Sequence, residues 1–163
     1  MRYATMGSIE QSVHQGEAHP NIAASLHELA RVLHAQGDVT GARARLERAL
    51  DIKRATHQTD EHPDVAAALN TLAEIHWTEG DYQAAITMLQ RVLKIQQHCF
   101  GTLDQHHSAT VKANLGACLL EEGNEEEALT LLTEAADVFV KQIPVGPELS
   151  QVLDLLGNKD RWY

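Results

Sequence analysis

Ten histidines stand among 163 residues, and imidazole is both a metal ligand and a general base, so they are the first side chains to test for chemistry. His27 and His34 are seven apart, which on a helix places them on one face but about 10 Å apart along the axis. That is too far for two adjacent ligands of one ion. His106 and His107 are sequential, with no partner at i+3 or i+4. His19, His62 and His106 each open one copy of a pattern described below, so they are widely separated and read as structural. No metal site is expected. Cys99 and Cys118 form no CxxC pair and lack the surroundings of a nucleophile. GxSxG, HExxH, a P-loop and a glycine-rich dinucleotide turn do not occur. The chain is therefore expected to be no enzyme and to need no cofactor.

Charge narrows the partners. With 13 basic and 23 acidic residues the net charge is -10, and such a surface repels a polyphosphate, so nucleic acid is excluded. A basic peptide suits it, although excess acid also simply keeps a protein in solution. The densest run is EEGNEEE, Glu121 to Glu127. Glu125, Glu126 and Glu127 fall in the first turn of an expected helix, where the helix dipole favours carboxylates. The segment MRYATMGSIEQSVHQGE has no apolar stretch of signal-peptide type, and no run of 18 apolar residues occurs, so neither export nor a membrane is expected. A reducing cytoplasmic setting follows, in keeping with two unpaired cysteines.

The elements that would position any site come from self-similarity. HPNIAASLHELARVLHAQGDVTGARARLERAL, HPDVAAALNTLAEIHWTEGDYQAA and HHSATVKANLGACLLEEGNEEEALTLLTEAA, starting at His19, His62 and His106, are copies of one unit. Gly37, Gly80 and Gly123 are spaced by 43 residues, as are Ala42, Ala85 and Ala128, and Leu46, Leu89 and Leu132. Leu29-Ala30, Leu72-Ala73 and Leu115-Gly116 keep the same register, and the third copy is one residue short near its start. Each copy holds two amphipathic halves separated by Gly-Asp or Gly-Asn, a glycine to end one helix and a side chain to cap the next. Pro20 and Pro63 fit the first helical turn, where a missing N–H costs nothing. Helices are expected at about 20–36, 39–56, 63–79, 82–98, 107–122 and 125–141. Small residues at Ala73 and Ala85 let paired helices approach while Leu72 and Leu89 fill the space beside them.

The fold expected is all-α, with three full repeats at 19–61, 62–105 and 106–145. Residues 1–18 read as a partial repeat or cap, and 146–163 as a capping helix and tail, because Pro147, Leu149, Leu153, Leu156 and Gly157 track Pro63, Val65, Leu69, Leu72 and Ala73.

Leu72-Ala73, Gly80-Asp81-Tyr82, Ala85 and Leu89, with HPDVAAALNTLA and the long linker HCFGTLDQHH, resemble the tetratricopeptide repeat in the long variant of kinesin light chain. The resemblance spans about residues 19–142. It departs at His34 and Leu120, which stand where Trp77 does, and at Val39 and Glu125, which stand where Tyr82 does. The relatives' two consecutive asparagines are reduced here to Asn70 and Asn114, at different positions of the pair.

The resemblance implies a right-handed α-solenoid of antiparallel helix pairs, a non-catalytic protein-interaction module whose first helices line a concave groove for a partner peptide or helix. Carried over position by position, the groove residues are Ala24, His27, Arg31, His34 and Ala35, then Ala67, Asn70, Glu74, Trp77 and Thr78, then Thr110, Ala113, Ala117, Leu120 and Glu121. Trp77 is either a contact residue or packing against the next pair. Asn70 suits a peptide backbone, and Arg31 suits either a ligand carboxylate or a neighbouring Glu. Glu121 and Glu122, ahead of the turn, would attract a basic ligand. The alternative to a groove binder is a scaffold that self-associates through its terminal helices.

Overall fold

The computed structural model describes residues 19–101 and 105–141, with Gln151, Val152, Asp154, Leu155 and Gly157 beyond them. Six helices follow in order: α1 (Pro20–Ala35), α2 (Val39–His57), α3 (Pro63–Glu79), α4 (Tyr82–Phe100), α5 (Gln105–Glu121) and α6 (Glu125–Lys141). Each helix packs on the next, and α1 also touches α3, so the pairs stack as an all-α solenoid.

Local chemistry sets the ends. Gly37, Gly80 and Gly123 take φ of +85°, +77° and +80°, the left-handed region where a side chain would be strained. At Gly80 the turn closes with Gly80 N–H donating to Trp77 O and Asp81 N–H to His76 O, both at 2.9 Å. Asp38 and Asp81 then cap α2 and α4 by accepting from Gly41 N–H at 2.9 Å and Ala84 N–H at 3.1 Å. At α1 and α3 the cap is a histidine: Nδ1 of His19 accepts from Asn21 N–H, and Nδ1 of His62 from Asp64 N–H. His106 departs from this role. In the third copy no proline follows the histidine, the helix starts at Gln105, and His106 lies inside it, edge-on to Phe139 at 5.4 Å.

The repeated columns form the core. Ala30 and Ala73 in the first helices, and Ala42, Ala85 and Ala128 in the second, are buried, as are Leu46, Leu89 and Leu132. Gly116 occupies the Ala30 and Ala73 column for a visible reason: a Cβ there would stand 2.8 Å from Leu132 Cγ and 3.2 Å from the Ala128 carbonyl oxygen. One column splits. Leu72 and Leu115 are buried, but Leu29 is 44% exposed and Val32, in the Ile75 column, 51%. The corresponding side of α3 is covered by α2, whereas no described helix precedes α1.

At the other end Val152 is fully buried with Ala109, Leu132, Ala135 and Phe139, and Leu155 packs beside them. Leu149, Leu153 and Leu156, expected to carry this contact, lie outside the described residues, as do residues 1–18 and the boundary at 142–150.

Candidate peptide-binding groove

Clefts on one face of the stack take residues from α1, α3 and α5, and two histidine–threonine bridges tie the first two of these together. Thr71 Oγ1 donates to Ala67 O and Thr78 Oγ1 to Glu74 O, so each hydroxyl oxygen is left to accept from an imidazole. His27 Nε2 donates to Thr71 Oγ1 at 3.0 Å, and His34 Nε2 to Thr78 Oγ1 at 2.8 Å. His27 Nδ1 must then be an acceptor, and Lys53 Nζ supplies the proton at 3.1 Å while also donating to Asp64 O at 3.2 Å. This network fixes the neutral Nε2–H tautomer of His27. Burial lowers the His27 pKa and the Lys53 ammonium lowers it further. Burial likewise lowers Lys53, with Asp64 opposing.

Two clefts run along this face and share Glu74. One, of about 360 Å³, is lined by residues that include His34, Glu74, Trp77, Asn114, Ala117 and Gln151. The other, of about 510 Å³, lies between α1, α3, α4 and α5 and takes in His27, Arg31, Asn70, Thr71 and Phe100. Glu74 is exposed by area, yet it stands inside the concavity. Loss of hydration there raises its carboxyl above the ordinary range, opposed by His34, by Arg31 and by the Asn70 N–H that reaches Glu74 Oε1 at 3.0 Å. The other end of the amide, Asn70 Oδ1, is buried and takes no hydrogen bond among the described residues. Trp77 is 36% exposed, and its ring meets Tyr82 edge-on at 5.3 Å.

Ten of the fifteen expected groove residues line one of these clefts: His27, Arg31, Ala67, Asn70 and Thr110 the larger, His34, Trp77, Thr78 and Ala117 the smaller, and Glu74 both. His27, His34 and Thr78 are partly spent on holding α1 to α3. Arg31 pairs with Glu28 at 3.3 Å on its own helix. Ala117 is buried and forms wall rather than contact, beside Cys118, whose thiol burial pushes up to about 11. Ala113 packs against the core around Phe139, and Glu121 is an exposed residue that lines neither cleft.

Asn114 and Gln151 line the smaller cleft and were not among the candidates, nor was Lys53, which supports His27 from behind. Gln151 shares the column of Ala67, so the repeat register carried a signal for it, whereas Asn114 falls in the column of Thr71, which was not an expected groove position. Lys53 comes from a second helix and reaches across, which register alone does not show.

His57, His62 and Asp64 bring three metal-ligating atoms together at the α2–α3 junction. His57 Nε2 meets Asp64 Oδ2 at 2.9 Å, and the two imidazoles stack with centroids 3.3 Å apart and planes 11° from parallel. Stacked rings direct their in-plane lone pairs along parallel lines instead of converging on one ion, and His62 Nδ1 already accepts a backbone N–H. This arrangement is that of a hydrogen-bonded junction.

A family model of the tetratricopeptide repeat matches residues 21–98. Among solved structures, nearly identical tetratricopeptide-like repeats of a Podosopora anserina protein designated kinesin light chain share 26% identity at a TM-score of 0.68, covering 98% of this chain and 84% of that one. BtubC, also called BKLC, of P. vanneervenii superposes at a TM-score of 0.70 with 21% identity, over 88% of this chain and 60% of that one. The N-terminal domain of stress-induced protein-1 from C. elegans has the same fold at 0.61, with 14% identity over 83% and 95% of the two chains. No curated protein matches in sequence.

Proposed function

We propose that this chain, which matches the tetratricopeptide repeat over residues 21–98 and is similar in fold to kinesin light chain repeats, is a non-catalytic module that holds an extended or helical segment of a partner protein in its inner groove. The observation that carries this reading is the continuous inner face, where two clefts meet at Glu74 and display an unburied indole beside it. A groove already formed loses little entropy on binding, so a few contacts suffice for useful affinity. The buried, unpaired Asn70 Oδ1 supports the same reading: an acceptor without a donor costs about 1–3 kcal/mol, which a small turn of the amide toward a bound N–H would recover. A reducing cytoplasm suits exposed Cys99 and buried Cys118, both free.

The test is capture of partners from lysate by the intact chain, then by Trp77→Ala and Asn70→Ala with circular dichroism unchanged. Loss of the captured proteins in both variants is expected, and retention in both places the binding face elsewhere. A second reading, self-association, is favoured by Leu29 and Val32, exposed on the side of α1 that no described helix covers. Light scattering over a concentration series decides it: growth in mass supports stacking, and a constant monomer mass removes it.

A further inference from the structure

We propose that Glu74 and Trp77 form a subsite for one lysine or arginine side chain of the segment in the groove, the carboxylate taking the cation and the indole covering its aliphatic stem. The inference rests on the groove reading above and adds the chemistry of its ligand.

The two residues are three apart on α3, hence one above the other on the same helical face, and both line the 360 Å³ cleft. Tyr82 packs edge-on with the indole at 5.3 Å, which restrains the ring, so a contact with it costs little entropy. The carboxylate is supported but makes no direct ion pair among the described residues. Asn70 donates to it at 3.0 Å, and among the described residues no cation lies within ion-pair distance. The nearby cationic groups are engaged elsewhere: Arg31 with Glu28 at 3.3 Å, His34 with Thr78 at 2.8 Å, Lys53 with His27 and the Asp64 carbonyl.

An ionised carboxylate in a cleft is short of hydration, which raises its pKa, and a ligand cation would restore what hydration no longer supplies. A neutral side chain leaves the charge unpaired, and an acidic one meets it with repulsion. An ammonium or guanidinium beside the indole gains cation–π attraction as well. The net charge of -10 draws basic segments toward the whole molecule, so steering and local pairing act in the same direction.

The experiment uses the full chain carrying Trp162→Phe, so that Trp77 gives the single indole N–H signal in an NMR titration. The probes are two capped heptapeptides of alternating Ser and Ala, one with a central lysine and one with the isosteric, uncharged norleucine. The lysine peptide is expected to shift the Trp77 indole and bind about tenfold more tightly than the norleucine peptide. Glu74→Gln, confirmed folded by circular dichroism and Tm, should abolish that difference, and Glu74→Asp, which keeps the charge, should retain part of it. Equal affinities for the two peptides with the indole still shifting would overturn the subsite and leave the groove standing. A lysine preference that survives Glu74→Gln also overturns it, because the charge of the whole chain would then be the cause. If neither peptide moves the Trp77 signal, the groove reading itself fails and the subsite with it.

Discussion

Gly116→Ala is the sharpest test of how the helix pairs meet. In a helix interior this substitution ordinarily gains about 1 kcal/mol, since alanine restricts the unfolded backbone and glycine does not. Here the added methyl would stand 2.8 Å from Leu132 Cγ and 3.2 Å from a backbone oxygen, Ala128 O. Carbon atoms rest at about 3.5–4.0 Å, so α5 must withdraw from α6 or Leu132 must leave its rotamer. Leu132 is fully buried and has little room to turn. Overpacking of this kind costs about 1–3 kcal/mol. An obstructing carbonyl cannot rotate away, which places the cost at the upper end, and after the helix gain the net is a loss of about 1–2 kcal/mol. For a chain of this size that lowers Tm by about 4 °C.

Thermal and urea unfolding followed by circular dichroism measure it. A double-mutant cycle adds specificity: in a Leu132→Val background the alanine has more space, so its cost should shrink by about half, a non-additivity confined to touching residues. Ala73→Gly, at the same column of the preceding repeat, serves as the reverse control and should also destabilise, by about 1–2 kcal/mol. If Gly116→Ala raises Tm, α5 and α6 do not approach as closely as described and the account of the small-residue column is wrong.

Two more outcomes are expected. His27 has a lowered pKa in the fold, so the unfolded chain binds its proton first: the contribution is full above the ordinary value of 6.5 and is lost as pH falls below it toward the folded value. His27→Gln, which can still donate to Thr71 and accept from Lys53 without titrating, should flatten the fall of Tm between neutral and mildly acid solution, and an unchanged slope would remove His27 as its source. Exhaustive treatment with a chelator should leave Tm unmoved, because the stacked imidazoles of His57 and His62 do not converge on one ion. A drop that zinc reverses would show that the three residues re-orient to bind metal.

The repeat was legible because packing imposes it. Gly37, Gly80 and Gly123 each need positive φ, and the buried Ala and Leu columns each need a fixed size, so the same letters recur at the same register. Helix limits were readable to within one or two residues wherever a proline or a capped aspartate marks them. His106 shows the limit: histidine alone signals a cap only when proline follows it. Leu29 shows another, since a column position is buried only when a neighbouring helix covers it. The inner face was placed by register, but what its side chains do was not. That His27, His34 and Thr78 are engaged in bridging, and that Lys53 arrives from a second helix, depends on distances across the stack that no single helix encodes.

The two histidine–threonine bridges have a mechanical consequence. They lie seven residues apart, so α1 is pinned to α3 at two points and neither rotation nor sliding is free between them. One register on, Asn70 and Trp77 stand where His27 and His34 do, and among the described residues they make no such bond to α5. Among the described residues the stack is thus a spring of unequal turns, its first and second coils joined by two hydrogen bonds that its second and third do not repeat. A bending load would meet directional ties at the first junction and apolar packing at the second, where Trp77 and Asn114 line one cleft.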